Sequence, residues 1–189
     1  MALPPGADRA AIARAVEGLL AACGLSAADE PHLARTPERV AGLYAEVLAG
    51  HDPATEPELA TFPHAGEGDL VLLRDVTFHS ICVHHLVPFF GRALIAYLPG
   101  DRIIGLSGMA RLLERYARRV QLQERLGQQV AEHLERLVAP RGLAVILEAR
   151  HLCMEMRGIR KAGLVETRIV RGELAEPRWA ESLRLSREG

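Results

Sequence analysis

The sequence predicts an α+β protein in which N-terminal helices precede a domain of order β-β-α-α-β-β built on an antiparallel sheet. Three observations predict it. Apolar residues recur at helical spacing through residues 12–48. The pattern then changes to runs rich in β-branched, aromatic and aliphatic residues at 70–78 and 89–98. Two further amphipathic patterns separate those runs from two more at 143–156 and 165–174. Between the halves, positions 51–68 are rich in Pro, Glu, His and Gly and read as a linker. It divides the chain into a helical extension, 1–60, and a main domain, 61–189.

After Met-Ala-Leu-Pro-Pro-Gly, which reads as a loose terminus, Ile12, Val16, Leu19, Leu20 and Cys23 form the apolar stripe of a first helix. Gly24 is a natural C′ residue for it, and Cys23 is expected to behave as a small buried hydrophobe. Thr36-Pro37-Glu38 starts the second helix, with Thr36 as N-cap and Pro37 at N1. Val40, Leu43, Tyr44, Val47 and Leu48 would face inward, and Gly50 would end the helix. In the main domain, Pro88 helps to start the second strand, Pro99-Gly100-Asp101 turns the chain, and Ser107 is placed to cap the next helix. That helix carries Met109, Leu112, Leu113, Tyr116 and Ala117 at i, i+3, i+4, i+7 and i+8. The following one, 121–138, turns Leu122, Leu126, Val130, Leu134 and Leu137 inward until Pro140-Arg141-Gly142 breaks it.

Composition excludes more than it assigns. The net charge of −1, from 23 basic and 24 acidic residues, gives no electrostatic case for nucleic acid, so any anion site must be local. No run of 18 apolar residues implies a membrane span, and no secretory leader is evident. Three cysteines in such a chain point to a reducing cytoplasm and to thiols free to bind metal.

The chemistry concentrates in Cys82-Val83-His84-His85 and His151-Leu152-Cys153. Cys82, His85 and Cys153 are the soft and borderline ligands that Zn²⁺ prefers. Three protein ligands leave a fourth position open for water, which separates a catalytic zinc from a structural one. Cys-x-x-His alone is a weaker signal than Cys-x-x-Cys, since a lone Cys is most often a buried hydrophobe. The second motif strengthens it: His151 and Cys153, two apart on an expected strand, would project from one face. His84 and His151 each flank a ligand and suit proton transfer near neutral pH, so the arrangement suggests metal-assisted hydrolysis.

The combination Cys82-Val83-His84-His85-Leu86-Val87-Pro88, Gly105-Leu106-Ser107, Gln121-Leu122-Gln123-Glu124-Arg125-Leu126 and His151-Leu152-Cys153-Met154 with Arg157-Gly158 resembles GTP cyclohydrolase I from about Thr36 to Arg160. The resemblance implies the tunnelling fold, whose subunits join antiparallel sheets into a barrel, and toroidal homodecamers with active sites between subunits. It implies opening of the imidazole ring of a guanine nucleotide at C8, with release of formate and formation of dihydroneopterin triphosphate. It makes Cys82, His85 and Cys153 the zinc ligands and His84, His151 and Ser107 the catalytic set. His151 would protonate N7. Gln123 and Glu124 fall to substrate binding, with Glu124 on the guanine N–H edge, although a carboxylate in a helix's first turn is also favoured without a ligand.

The sequence departs from the family at several positions. Val83 stands where Glu is usual, and Gly108 and Gly42 stand where the family carries lysines of its triphosphate pocket. Arg39, Arg111 and Arg157 remain as candidate phosphate ligands. Leu164-Val165-Glu166-Thr167-Arg168 replaces a segment rich in Ser and Thr, and His79 is an extra imidazole near the metal motif. Besides conventional GTP chemistry, two readings stay open: a paralogue acting on a guanine base, nucleoside or oxidised guanine without the triphosphate, and a zinc-holding binding protein without turnover. Retention of both His84 and His151 disfavours the last.

Overall fold

The computed structural model of the chain describes residues 7–66 and 70–186, so the opening hexapeptide and the last two linker positions lie outside the described residues. The chain divides into two compact units, 1–56 and 57–189.

In the first unit, α1 (Arg9–Ala22) begins where the Asp8 side chain accepts a hydrogen bond from Ala10 N at 2.8 Å. It ends at Gly24, φ +73°, with Leu25 N and Gly24 N bonded to the carbonyls of Leu20 and Ala21. Cys23, expected to be buried, is exposed. α2 (Thr36–Val47) is entered from a 3-10 turn over Pro31–Arg35, so Thr36 is already helical and Arg35, not Thr36, holds the capping position. Its buried ridge is Pro37, Ala41 and Ala45, while Leu43 is 54% exposed. Small residues at i and i+4 allow a close approach that branched side chains would block, and the apolar count alone does not show this.

In the second unit, β1 (Thr61–Pro63) pairs with β4 (Arg102–Ile104), a three-residue strand inside the expected linker. The main sheet contains β2 (Val71–Cys82), β3 (Pro88–Leu98), β5 (Val120–Gln121), β6 (Gly142–His151) and β7 (Val165–Gly172), in the order β5-β2-β3-β6-β7. Every neighbouring pair is antiparallel except β5 with β2. α3 (Leu106–Ala117) and α4 (Gln123–Val138) bury Met109, Leu112, Leu113, Leu126, Val130 and Leu134 against one face of the sheet. Turns at Glu173–Ala175 and Pro177–Trp179 bring Leu174 and Leu183 over Leu94, Ala96 and Ile146 on the other face. The expected β-β-α-α-β-β order is present, with short strands added.

Local boundaries differ in ways that matter for the site. α3 begins at Leu106 with Gly105 as its cap, so Ser107 lies inside the first turn and not at the N-cap. Gln121 belongs to β5, which shortens the second helix to Gln123–Val138 and leaves Leu122 exposed. The third long strand ends at His151, and Leu152–Glu155 forms a single helical turn, α5, so Cys153 is not a strand residue. β7 stops at Gly172 and leaves Leu174 in a turn. At the centre of the sheet β3 and β6 approach closely at Gly91, where a Cβ would lie 1.9 Å from the carbonyl oxygen of Glu148. Among the described residues no helix is long and apolar enough to cross a membrane.

Candidate metal centre and its surroundings

β2 delivers Cys82 as its last residue, and the chain then closes a tight turn. Leu86 N bonds to the Cys82 carbonyl and Cys82 N to the Val87 carbonyl, both at 2.9 Å, with Leu86 at φ +53°. This turn brings His85 back beside Cys82, and His85 Nδ1 lies 3.9 Å from Cys82 Sγ. Cys153 arrives from α5, directly after β6 ends. One ligand atom from each of Cys82, His85 and Cys153 lies within 4.8 Å of the others. The expected strand face is therefore replaced by a strand end and a helical turn, yet the three donors converge.

The donor set suits a cation. Burial pushes the Cys153 thiol above its ordinary value, and its hydrogen bond and charge interaction with Cys82 push it further, with Arg157 pulling the other way. The neighbouring sulfur opposes ionisation of Cys153, and a dication held between the two would reverse that opposition. With one imidazole and two sulfurs, the set fits zinc and would fill three of its four usual positions.

His151, the last residue of β6, stands opposite Phe89 of β3 in the sheet register. Their rings stack with centroids 4.8 Å apart and planes 3° apart. His151 Nε2 lies 2.7 Å from Gln123 Oε1 at the start of α4. Gln123 is 2% exposed, and its Nε2 donates to the carbonyls of Leu147 at 3.0 Å and Val165 at 2.8 Å. Burial holds His151 below the ordinary histidine value, while the carboxylates of Glu124 and Glu155 pull it partly back up. Glu124 is thus in electrostatic reach of His151 and is exposed.

The other candidates are distributed unevenly. Arg157 reaches His85, Nη1 to Nε2 2.7 Å, and so stands at the metal cluster. His84 is exposed on the same turn, its ring edge-on to that of His85 at 6.2 Å. Ser107 and Arg111 are exposed on α3, with no contact to the cluster among the described residues, and Arg39 is exposed on α2 in the first unit. His79 stacks on Phe90 at 5.7 Å, both on the sheet face opposite Cys82 and Phe89, which separates it from the candidate ligands.

The two glycine departures have distinct surroundings. A Cβ on Gly108 would lie 2.8 Å from Ile104 Cγ1 and 3.8 Å from Leu59 Cδ2, in packed apolar space. A Cβ on Gly42 would lie 2.7 Å from Nη2 of Arg9, so a guanidinium already covers that position. Phe89, which flanks His151, was not among the candidates. Only the β3–β6 register reveals it, and one sequence does not carry that register.

The sequence profile described as GTP cyclohydrolase I matches residues 12–186 of the chain. A GTP cyclohydrolase 1 of Thermobifida fusca is 46% identical over 176 residues, 92% of this chain and 84% of that protein. A GTP cyclohydrolase 1 of Brucella anthropi is 47% identical over 144 residues, 74% of this chain and 68% of that protein. Among solved structures, an archaeosine synthase described as QueF-Like aligns at 19% identity with a TM-score of 0.46, over 57% of this chain and 97% of that one.

Proposed function

The chain belongs to the GTP cyclohydrolase I family, and from that premise we propose that it hydrolyses GTP at C8, opening the imidazole ring, releasing formate and yielding dihydroneopterin triphosphate. The observation that carries the site assignment is the convergence of Cys82, His85 and Cys153, with Cys153 two residues past His151 at the end of β6. These three residues hold zinc in this reading. Zinc held there would supply Lewis acidity and would lower the pKa of a water to about 7.

The chain's own residues do the rest. His151, once it has taken up a proton, donates it to N7 of the purine, and His84 serves proton transfer during ring opening. The exposed carboxylate of Glu124 accepts from the guanine N–H edge. Arg157, Arg111 and Arg39 supply positive charge for the phosphates, with Ser107 in the first turn of α3. Their charge-assisted contacts are each worth about 1.5–3 kcal/mol. The non-catalytic alternative gives no role to His151, whose buried amide partner has no other use for its carbonyl oxygen.

Assembly belongs to the same proposal. β7 is an edge strand, and Leu86, Met156, Ile159 and Leu164 are 51–68% exposed near the ligand-bearing turn and after α5. Edges and apolar surface of this kind are covered by neighbouring subunits in a symmetric homo-oligomer, here a decamer. In this reading the protein works in the cytoplasm, where the thiols that the metal requires stay reduced. The experiment is turnover of guanine, guanosine, GMP and GTP by zinc-loaded protein, read as loss of the purine absorbance. GTP is expected to give the highest kcat/KM. A preference for guanine or guanosine would replace this reading with that of a paralogue.

A further inference from the structure

Gln123 uses its whole amide inside the protein. Both N–H donors are engaged, by the carbonyls of Leu147 on β6 and Val165 on β7. These two contacts fix the amide's orientation. A flipped amide would set its oxygen against two carbonyl oxygens and its N–H groups against His151. The oxygen therefore faces His151 Nε2 at 2.7 Å and can only accept. An acceptor there requires a proton on Nε2. The flat stack on Phe89, 4.8 Å between centroids and 3° between planes, holds the ring in that orientation.

We propose that Gln123 is a positioning residue that fixes His151 as the Nε2–H tautomer and leaves Nδ1 as the nitrogen that takes up a proton from water and passes it to the substrate. The inference rests on the proton-carrier role assigned to His151 above and replaces the expectation that Gln123 touches substrate. A residue 2% exposed, with both N–H donors engaged inside the protein and its oxygen on His151, is turned away from a ligand. Its carbonyl oxygen does for His151 what a buried carboxylate does in other proton-transfer sites, but without adding a charge. By bonding to β6 and β7 together, Gln123 also ties the orientation of the ring to the sheet.

The test has two parts. The ¹⁵N spectrum of ring-labelled wild-type protein, with the His151 signals identified by difference against His151→Asn, is recorded without substrate. The Nε2–H tautomer is expected, and a predominant Nδ1–H tautomer overturns the proposal. Gln123→Met preserves side-chain length and removes the acceptor. It is expected to mix the two tautomers and to lower kcat by about 10–100-fold, the range for losing an orienting partner, with KM within about twofold. A loss confined to KM would return Gln123 to the substrate contacts, and an unchanged kcat would remove its role; either overturns the proposal. If Gln123→Met does not fold, the wild-type spectrum decides. A protein with the Nε2–H tautomer that fails to consume GTP contradicts the reaction proposed above and leaves the tautomer assignment standing.

Discussion

The imidazole of His151 lies flat against the ring of Phe89, with 4.8 Å between centroids and 3° between planes. The contact follows from register, since the two residues face each other across β3 and β6. Phe89 is 1% exposed and also belongs to the helix-side core. Phe89→Leu should keep the fold and release the ring of His151. A stacked pair is worth about 0.5–1.5 kcal/mol beyond burial, so a loss of about 2- to 12-fold in kcat is expected from steady-state kinetics at unchanged metal content. Phe89→Ala should instead be dominated by a cavity and cost about 3–5 kcal/mol of stability in denaturant unfolding.

Metal binding should depend on the converging cysteines and not on Cys23. Cys82→Ser and Cys153→Ala should each yield protein with little bound zinc by elemental analysis. Cys23→Ser should retain one zinc per subunit, because Cys23 is exposed at the end of α1, in the other unit. Full metal content in Cys153→Ala would break the assignment of ligands.

Alkaline stability should report on Tyr97. Burial raises its pKa above the usual tyrosine value of 10.0, against a smaller lowering by the backbone N–H of Ile104. The unfolded chain ionises first, so the folded state binds more protons above pH 10 and stability falls as pH rises from there. The contribution is intact below that pH and is lost as the pH climbs toward the raised native value. Thermal unfolding of wild type against Tyr97→Phe should show a steeper alkaline decline in the wild type. The variant should be somewhat less stable near neutrality, because the Ile104 N–H loses its partner at 3.1 Å.

The element order was legible in the sequence because α3, α4 and the long strands carry clear periods, and the candidate cluster was legible because Cys82, His85 and Cys153, which the structure brings together, are chemically distinctive. What was not legible depends on distant pairing. Three residues, Thr61–Pro63, have no period of their own and become a strand through β4. Cys153 sits in a short helical turn after an apolar strand, and composition continues smoothly across the junction. Gln123 and Glu124 are adjacent polar residues, yet one is buried and the other exposed, and only the position of α4 against β6 and β7 separates them.

Gly108 gives a packing prediction. Its missing side chain makes room for Ile104 and Leu59, so a larger residue must displace core atoms. Gly108→Lys should lower stability by about 1–3 kcal/mol in denaturant unfolding and should not raise affinity for GTP, since its Cβ would be directed into packed apolar space. Gly42→Lys should be milder, because the atom it meets is the end of the Arg9 side chain. A stable Gly108→Lys protein with tighter GTP binding would show that the helix start can open toward the phosphates.

GTP labelled with ¹³C at C8 tests most directly whether a metal site built from Cys82, His85 and Cys153 opens the purine at C8. Zinc-loaded protein should convert the label to formate, one per GTP consumed. The conversion should stop on chelation, return with added zinc, and be absent in Cys153→Ala. Consumption of GTP with the label retained in an intact ring, or formate release at the full rate by Cys153→Ala, would contradict the account.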